Sequence, residues 1–433
     1  MRHTRLATAR TARLCGGLLL AAAVPASAAV DGKLLDMLLA NGSITAAQHA
    51  ELSADLARET KAAERAASKQ VKSEEMTALQ QKLAWAMNTQ LKGDVRVRYE
   101  NIHIEDEPDN GRDRDRQRIR ARLGAFTQVN PEVEAGIQIA SGGGKDARST
   151  NQDMNDYFNK KDLWLDLAYI DYHPLQVPGL KVLGGKMKQP WVSMGDVIWD
   201  GDINPEGGAV TYKRLFGGTE VFGSAGYYVL QDNIDGEGVQ FEHDLRLYAG
   251  QVGTRLFPGD SFKVTLGGSV YAYDNDEDST GPATAGGGIA ALRANGNTTD
   301  EFRLYEAFGQ LDVIGLPLPL SVYGQYVKNG AARGIDEDQD QAWLVGVMTR
   351  LFDVGVDYNY RDVQRNGVVG AFTDSDFASG YVGSRGHKIK LKYDLGKNFS
   401  IGTTYFMAES DVASRFTDDA SVNTLQVDVE AKF

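Results

Sequence analysis

From residue 92 to residue 433 polar and apolar side chains alternate with a period of two, and very few folds satisfy that pattern over such a length. Val95, Val97 and Tyr99 stand between Asp94, Arg96, Arg98 and Glu100. Successive side chains of a strand point to opposite faces, so each such segment has one charged or polar face and one apolar face. The most constrained stretch is Arg116–Leu123, with arginine at 116, 118, 120 and 122 and Ile119, Ala121 and Leu123 between them. As a helix it would align Ile119, Leu123 and Phe126 at i, i+4 and i+7 and form a basic helix. The neighbouring segments keep period two and the chain is acidic overall, so the strand reading is preferred.

The connections are sorted by length. Short turns fall at Asn130-Pro131-Glu132, Phe216-Gly217-Gly218, Phe257–Asp260, Gly315–Pro319, Phe352-Asp353 and Leu395–Asn398. Long polar loops fall near 101–114, 142–161, 188–206, 232–243, 274–300, 329–340, 364–386 and 410–422. A soluble sandwich has no reason to alternate short and long connections, whereas a bacterial outer-membrane barrel does. The strands begin near Leu91, Gln117, Val133, Leu163, Leu180, Gly208, Glu220, Asp244, Phe262, Glu301, Leu320, Gln341, Val354, His387, Phe399 and Asn423. That predicts a sixteen-stranded antiparallel transmembrane β-barrel over 91–433, an all-β membrane fold. Some strands are less regular: Glu301–Val313 fits neither phase throughout, which suggests a bulge or a subunit contact there. Aromatic residues near strand ends (Tyr99, Tyr172, Phe216, Phe257, Tyr273, Tyr360, Tyr393) suit an interfacial girdle.

Composition narrows the setting. The chain has 46 basic and 59 acidic residues, a net charge of −13. Arg2, Arg5, Arg10 and Arg13, the apolar run Leu14–Val24 and Ala26-Ser27-Ala28 read as a cleavable signal peptide over 1–28. Without it the balance is 42 basic against 59 acidic. Such an acidic, exported chain is not expected to bind nucleic acid. The single cysteine, Cys15, falls in the leader, so no disulfide or thiolate chemistry is expected. Past the leader, no apolar run approaches the roughly 18 residues of a spanning helix. Residues 29–90 form a separate segment: Thr45 and Gln48 make a capping box, and Ala, Glu, Lys, Arg and Gln then dominate to about Leu83. A periplasmic helix is predicted, either a short coiled coil or a solvated spacer.

Several stretches resemble the putative porin family of Gram-negative bacteria: Lys92–Tyr99, Asp115–Gly124, Lys161–Asp166, Gly184–Lys188 and Asn204–Gly207. The resemblance implies passive diffusion of small hydrophilic solutes across the outer membrane, a homotrimer as in general porins, and no catalytic residues. The last strand alternates Leu425, Val427, Val429, Ala431 and Phe433 with polar neighbours, and its terminal Phe433 resembles the signal read by the barrel-assembly machinery. Contacts with outer-membrane lipid and lipopolysaccharide follow from the same reading.

Arginine on a lipid face costs about 2–4 kcal/mol at the midplane, so Arg96, Arg98, Arg118, Arg120 and Arg122 are expected to face the lumen. Lys388, Lys390 and Lys392 on the fourteenth strand would complete one basic wall. The third long loop, Lys188–Gly207, carries Asp196, Asp200, Asp202 and Glu206 with Trp191 and Trp199. Folded inward, its acids would face the basic wall and set up a transverse field. Asp274–Asp278 starts like a calcium loop, but Ser279 replaces the glycine and no glutamate closes it, so it reads as a solvated loop. The six histidines are scattered and no nucleophile–base–orienter set is visible, so neither an enzyme nor a cofactor or metal site is expected. An anion- or phosphate-selective porin is the second reading, and a non-transport barrel (enzyme or cell-wall tether) the third.

Overall fold

The computed structural model describes residues 26–106, 109–144, 146–231, 244–259, 261–274, 292–315, 317–414 and 419–433. Residues 1–25 of the predicted leader and Asn275–Asp278 of the calcium-like stretch lie outside them. The chain divides into two compact units, one ending at Ala84 and one running from Trp85 to Phe433.

In the first unit, helix α1 (Ala26–Ala40) is followed by α2 (Ala46–Met87). The capping box forms as its residues dictate. The Thr45 amide donates to Gln48 Oε1 at 3.0 Å, and the Gln48 amide donates to Thr45 Oγ1 at 3.3 Å. A His49–Asp36 contact of 3.0 Å ties the two helices together. Among the described residues no helix is long and apolar enough to cross a membrane.

The second unit is a single closed sheet of sixteen antiparallel strands. They are β1 (Thr89–Asp106), β2 (Asp109–Asn130), β3 (Val133–Ser141), β4 (Leu163–Tyr172), β5 (Leu180–Lys186), β6 (Glu206–Phe216), β7 (Thr219–Gln231) and β8 (Leu245–Leu256). The second half comprises β9 (Phe262–Asp274), β10 (Arg303–Val313), β11 (Leu320–Asn329), β12 (Gln341–Leu351), β13 (Val354–Val363), β14 (Ser384–Gly396), β15 (Phe399–Ser410) and β16 (Ala420–Lys432). Each strand pairs with its sequence neighbours, and β16 pairs with β1 to close the barrel. A two-residue bridge, Gln152–Asp153, pairs with β2 from within the β3–β4 loop.

The faces are inverted relative to a water-soluble protein. On β1, Val95, Val97 and Tyr99 are 46%, 47% and 40% exposed, whereas Arg98 and Glu100 are buried. On β12, Trp343 and Val345 point out while Ala342 and Leu344 are buried inside. The apolar period-two residues thus face outward around the barrel.

Two sequence expectations are corrected. The described residues of 101–114 are strand rather than loop: Asn101–Ile104 pair with Asp115–Arg112, and β2 begins at Asp109 rather than near Gln117. Polar cross-strand bonds hold this extension, with Tyr99 Oη donating to Asp115 at 2.6 Å and His103 meeting Asp113 at 2.6 Å. Asp and Arg are poor strand formers by composition, which is why the stretch reads as loop. Nor does β10 bulge, since its pairing with β9 and with β11 runs without a register shift. Its pattern is irregular because Leu304 and Phe308 face inward and are buried.

Phe308 belongs to a recurrent device. It lies opposite Gly267 of β9, just as Phe222 lies opposite Gly253, Tyr323 opposite Gly346 and Tyr169 opposite Gly136. In each pair the ring covers the glycine so closely that an added Cβ would overlap it. We predict that Gly267→Val destabilises the barrel by about 1–3 kcal/mol, as overpacking does. Urea unfolding of the detergent-solubilised protein measures this, and an unchanged midpoint would contradict it.

Candidate pore constriction

The inner face of β1 carries Asp94, Arg96, Arg98 and Glu100, two acids flanking two bases. The register places them between an all-arginine row on β2 and a mixed row on β16. On one side Asp94 faces Arg122, Arg96 faces Arg120, Arg98 faces Arg118 and Glu100 faces Arg116 of β2. On the other, Asp94 faces Lys432, Arg96 faces Glu430, Arg98 faces Asp428 and Glu100 faces Gln426 of β16.

Ion pairs form across this lattice. Arg98 makes a bidentate contact with Asp428 at 2.7 and 2.9 Å and a third with Asp376 at 3.0 Å. Arg120 donates to Asp94 and Glu430, and Arg122 to Asp94 at 2.7 Å with Asp202 at 3.4 Å. Arg118 takes Asp153 at 2.9 Å and Arg116 takes Glu100. Arg96 is held by Asn151 at 2.6 Å, with Asp428 at 3.9 Å.

Three loops fold into the barrel opposite this wall. The β5–β6 loop (187–205) buries Trp191, Val197, Ile198, Trp199 and Ile203. Burying such side chains stabilises by about 1.5–3 kcal/mol each, enough to hold the loop down. Trp199 stacks on Phe372 of the β13–β14 loop (364–383) at 5.4 Å, and Trp191 meets Tyr228 and Tyr271 of the wall edge-on at 5.6 Å. Backbone bonds join the two loops: Asp200 N–H donates to Phe372 O at 2.7 Å, and Asp374 N–H to Asp196 O at 2.9 Å. The β3–β4 loop joins them through Arg148, which donates to Gly370 O and Gly380 O, and through Thr150, which donates to Asp202.

Between the loops and the wall lies a passage of about 350 Å³. It is lined by Arg96, Arg98, Arg120, Arg122, Lys388 and Lys390 against Asp196, Asp200, Asp202, Asp374, Asp376 and Asp428. The predicted bases Arg96, Arg98, Arg120, Arg122, Lys388 and Lys390 and the predicted acids Asp196, Asp200 and Asp202 therefore come together. Arg118 lies in the same lattice, one pair further along β2. Two predicted residues do not join them. Lys392 pairs with Asp394 at 3.4 Å towards the turn end, and Glu206 pairs with Lys186 at 2.7 Å at the start of β6. Phe433 exchanges backbone bonds of 2.9 Å with Gly93 and leaves its ring 63% exposed.

Sequence reading missed most of the partners. Asp94 and Glu100 share a face with Arg96 and Arg98, and Asp428 and Glu430 share one on β16, so period two alone would have paired them. Asp374 and Asp376 carry no such signal, because their place depends on the β13–β14 loop turning inward.

The loop acids are tuned differently. Burial, together with the nearby Asp374 and Asp196 carboxylates, pushes Asp200 well above its ordinary value, and burial raises Asp196 too. Burial acts in the same direction on Asp376, but the Arg98 guanidinium outweighs it and holds that carboxyl at about 2.

Among known proteins, this chain is similar in fold to OprB of Pseudomonas putida in its high-pH structure. The TM-score is 0.52 at 11% identity, covering 83% of this chain and 97% of that one. OmpF of Salmonella typhi in complex with daunomycin scores 0.46 at 12% identity over 80% of this chain and 97% of that one. A stretch of 33 residues, 8% of this chain, is 64% identical to Phosphate starvation-inducible protein 1 of Pseudomonas fluorescens and covers 85% of it. The sequence model of the family described as Putative porin matches residues 106–303 and 325–433, and so the chain belongs to the Putative porin family.

Proposed function

We propose that this protein is an outer-membrane porin through which small hydrophilic solutes and ions diffuse passively. The observation that carries the reading is the inversion of its faces, with a continuous apolar outer surface around a charged inner passage. Water-soluble proteins rarely expose apolar patches beyond a few hundred Å², and a closed barrel is one of the two folds that satisfy every backbone group in lipid. The reading also takes in export by the leader, lipid and lipopolysaccharide on the outer surface, a periplasmic helical segment, assembly through Phe433 and a homotrimer. No chemistry is assigned to it. Planar-bilayer recording of the purified protein tests it, and folded protein that carries no current would overturn it.

An anion preference is the second reading. The arginine ladder does not decide the sign, because its members are matched by acids. What remains among the described lining residues is Lys388 and Lys390, with no carboxylate within 4 Å, against Asp196 and Asp200, with no cation within 4 Å. The name of the Pseudomonas fluorescens relative points to phosphate starvation and supports the anion side.

Two outcomes follow for recordings in a salt gradient. Replacing Arg118, Arg120 and Arg122 together by Ala removes three positive charges and strips Asp94 of both its arginines, so the reversal potential shifts towards cations. An unchanged potential would remove these residues from the ion path. The pH dependence runs the other way. The raised Asp200 binds its proton at a higher pH than an ordinary aspartate at 3.8, so its charge is lost first as pH falls from neutral. Anion preference then rises on mild acidification while Asp376 stays ionised, and Asp200→Asn flattens that rise. Equal pH profiles for Asp200→Asn and the parent would refute the assignment.

A further inference from the structure

The β5–β6 loop divides the lumen, and the chamber on its turn side differs in character from the charged passage. Its volume is about 690 Å³, within the roughly 300–1,000 Å³ of small-molecule sites. Pro190, Trp191 and Val192 of the loop form its ceiling, and Leu183 and Phe222 of the barrel form its wall. Gln251 fixes the ceiling by accepting from the Val192 amide at 2.7 Å and donating to the Val192 carbonyl at 2.9 Å. Apolar surface of this kind gives a freely diffusing hydrophilic solute no advantage.

The acids of the chamber each have a hydrogen-bond or ion-pair partner in its wall. Glu134 accepts from Tyr169 Oη at 2.8 Å, Asp171 takes Lys181, and Glu220 takes Arg255 and Lys213. Among the described residues two cations of the lining lack a carboxylate within 4 Å: Arg214, which lies over the Phe216 ring at 5.5 Å, and Lys188. Lys188 lines the chamber beside Pro190 and Trp191 and is solvent-accessible. The chamber thus presents one free ammonium at the edge of an aromatic shelf.

We infer that this chamber is a binding subsite for a small solute that joins a planar apolar body to a single negative charge. Lys188 takes the charge, and Trp191, Val192, Leu183 and Phe222 take the body. The inference rests on the reading of the barrel as an open pore. A phosphate-like oxyanion fits less well, since it would lose hydration on several oxygens against apolar walls, with the Glu134 carboxylate, bonded among the described residues only to the neutral Tyr169 hydroxyl, on the same lining.

Benzoate is the probe, with inorganic phosphate and uncharged benzyl alcohol as comparators. Added from the turn side in planar bilayers, benzoate should block the current saturably and at concentrations about tenfold below either comparator, each of which lacks one of the two contacts. Lys188→Gln should weaken the block by benzoate about tenfold, the scale of one charged hydrogen bond, and leave the effect of benzyl alcohol unchanged. Leu183→Gln should weaken both aromatic probes and leave phosphate alone. Calorimetry on the detergent-solubilised protein reads the same affinities without needing current. Equal block by phosphate and benzoate, or benzoate binding indifferent to Lys188→Gln, would overturn the inference. A pore that conducts salt but binds no benzoate removes this subsite and leaves the porin reading standing, whereas a folded protein that conducts nothing removes both.

Discussion

Closure of β16 onto β1 is the interaction on which the rest of the barrel depends. An open sheet of sixteen strands would leave two edges of unpaired amides and carbonyls, and closure removes both. The seam carries more than backbone bonds. Arg96 facing Glu430 and Arg98 facing Asp428 stand directly across it, and the Arg98 pair is bidentate, with the guanidinium buried. A slip of one residue would turn every charge of β16 to the apolar side. Buried ion pairs are weak evidence for stability but good evidence for registry, and here they coincide with the one pairing that joins the two ends of the sheet.

The lumen is built on two different physical bases. Along β16, β1 and β2 the wall is polar and its groups are satisfied by one another. From β7 to β13 the wall is apolar at Tyr228, Leu247, Tyr271, Leu304, Leu344 and Val363, and the inserted loops pack on it as a core. Hydrophobic burial therefore sets where the loops sit, while their charged edges set what lies across from the arginines. The apolar side chains that seat the β5–β6 loop are not those that face the passage, whereas Asp200 and Asp202 serve in both roles, lining it and accepting bonds from Ser375 and Thr150 of the neighbouring loops.

Most of the wall was legible from period two alone, because every strand buries one face and exposes the other. Strand onsets at Val133, Leu163, Leu180, Phe262, Leu320, Gln341, Val354 and Phe399 coincide with the observed ones. The failures have physical causes. Polar cross-strand pairs made strand out of Asn101–Asp106 and Asp109–Arg116, where composition spelled loop. Inward apolar residues blurred β10, since they pack on loops whose inward turn is a long-range event. Glu206 and Lys392 have the right chemistry in the right segments, but each lies beyond the depth at which the inserted loops meet the wall. Asp374 and Asp376 gave no local sign, because their role is acquired only when Phe372 stacks on Trp199.

The extended β1–β2 hairpin leaves one strand edge uncovered. Beyond Gln117, β2 pairs with β1 alone among the described residues, so its other edge from Asp113 to Arg116 offers free backbone groups. Such an edge is a template for another chain to add a strand. Here aspartate and arginine alternate along it, so an incoming strand would meet a charge at every step and strip water from each. The same residues that disguise the hairpin as a loop thus keep it from recruiting a neighbour, and a long projection can stand at the rim of the barrel without becoming a point of aggregation.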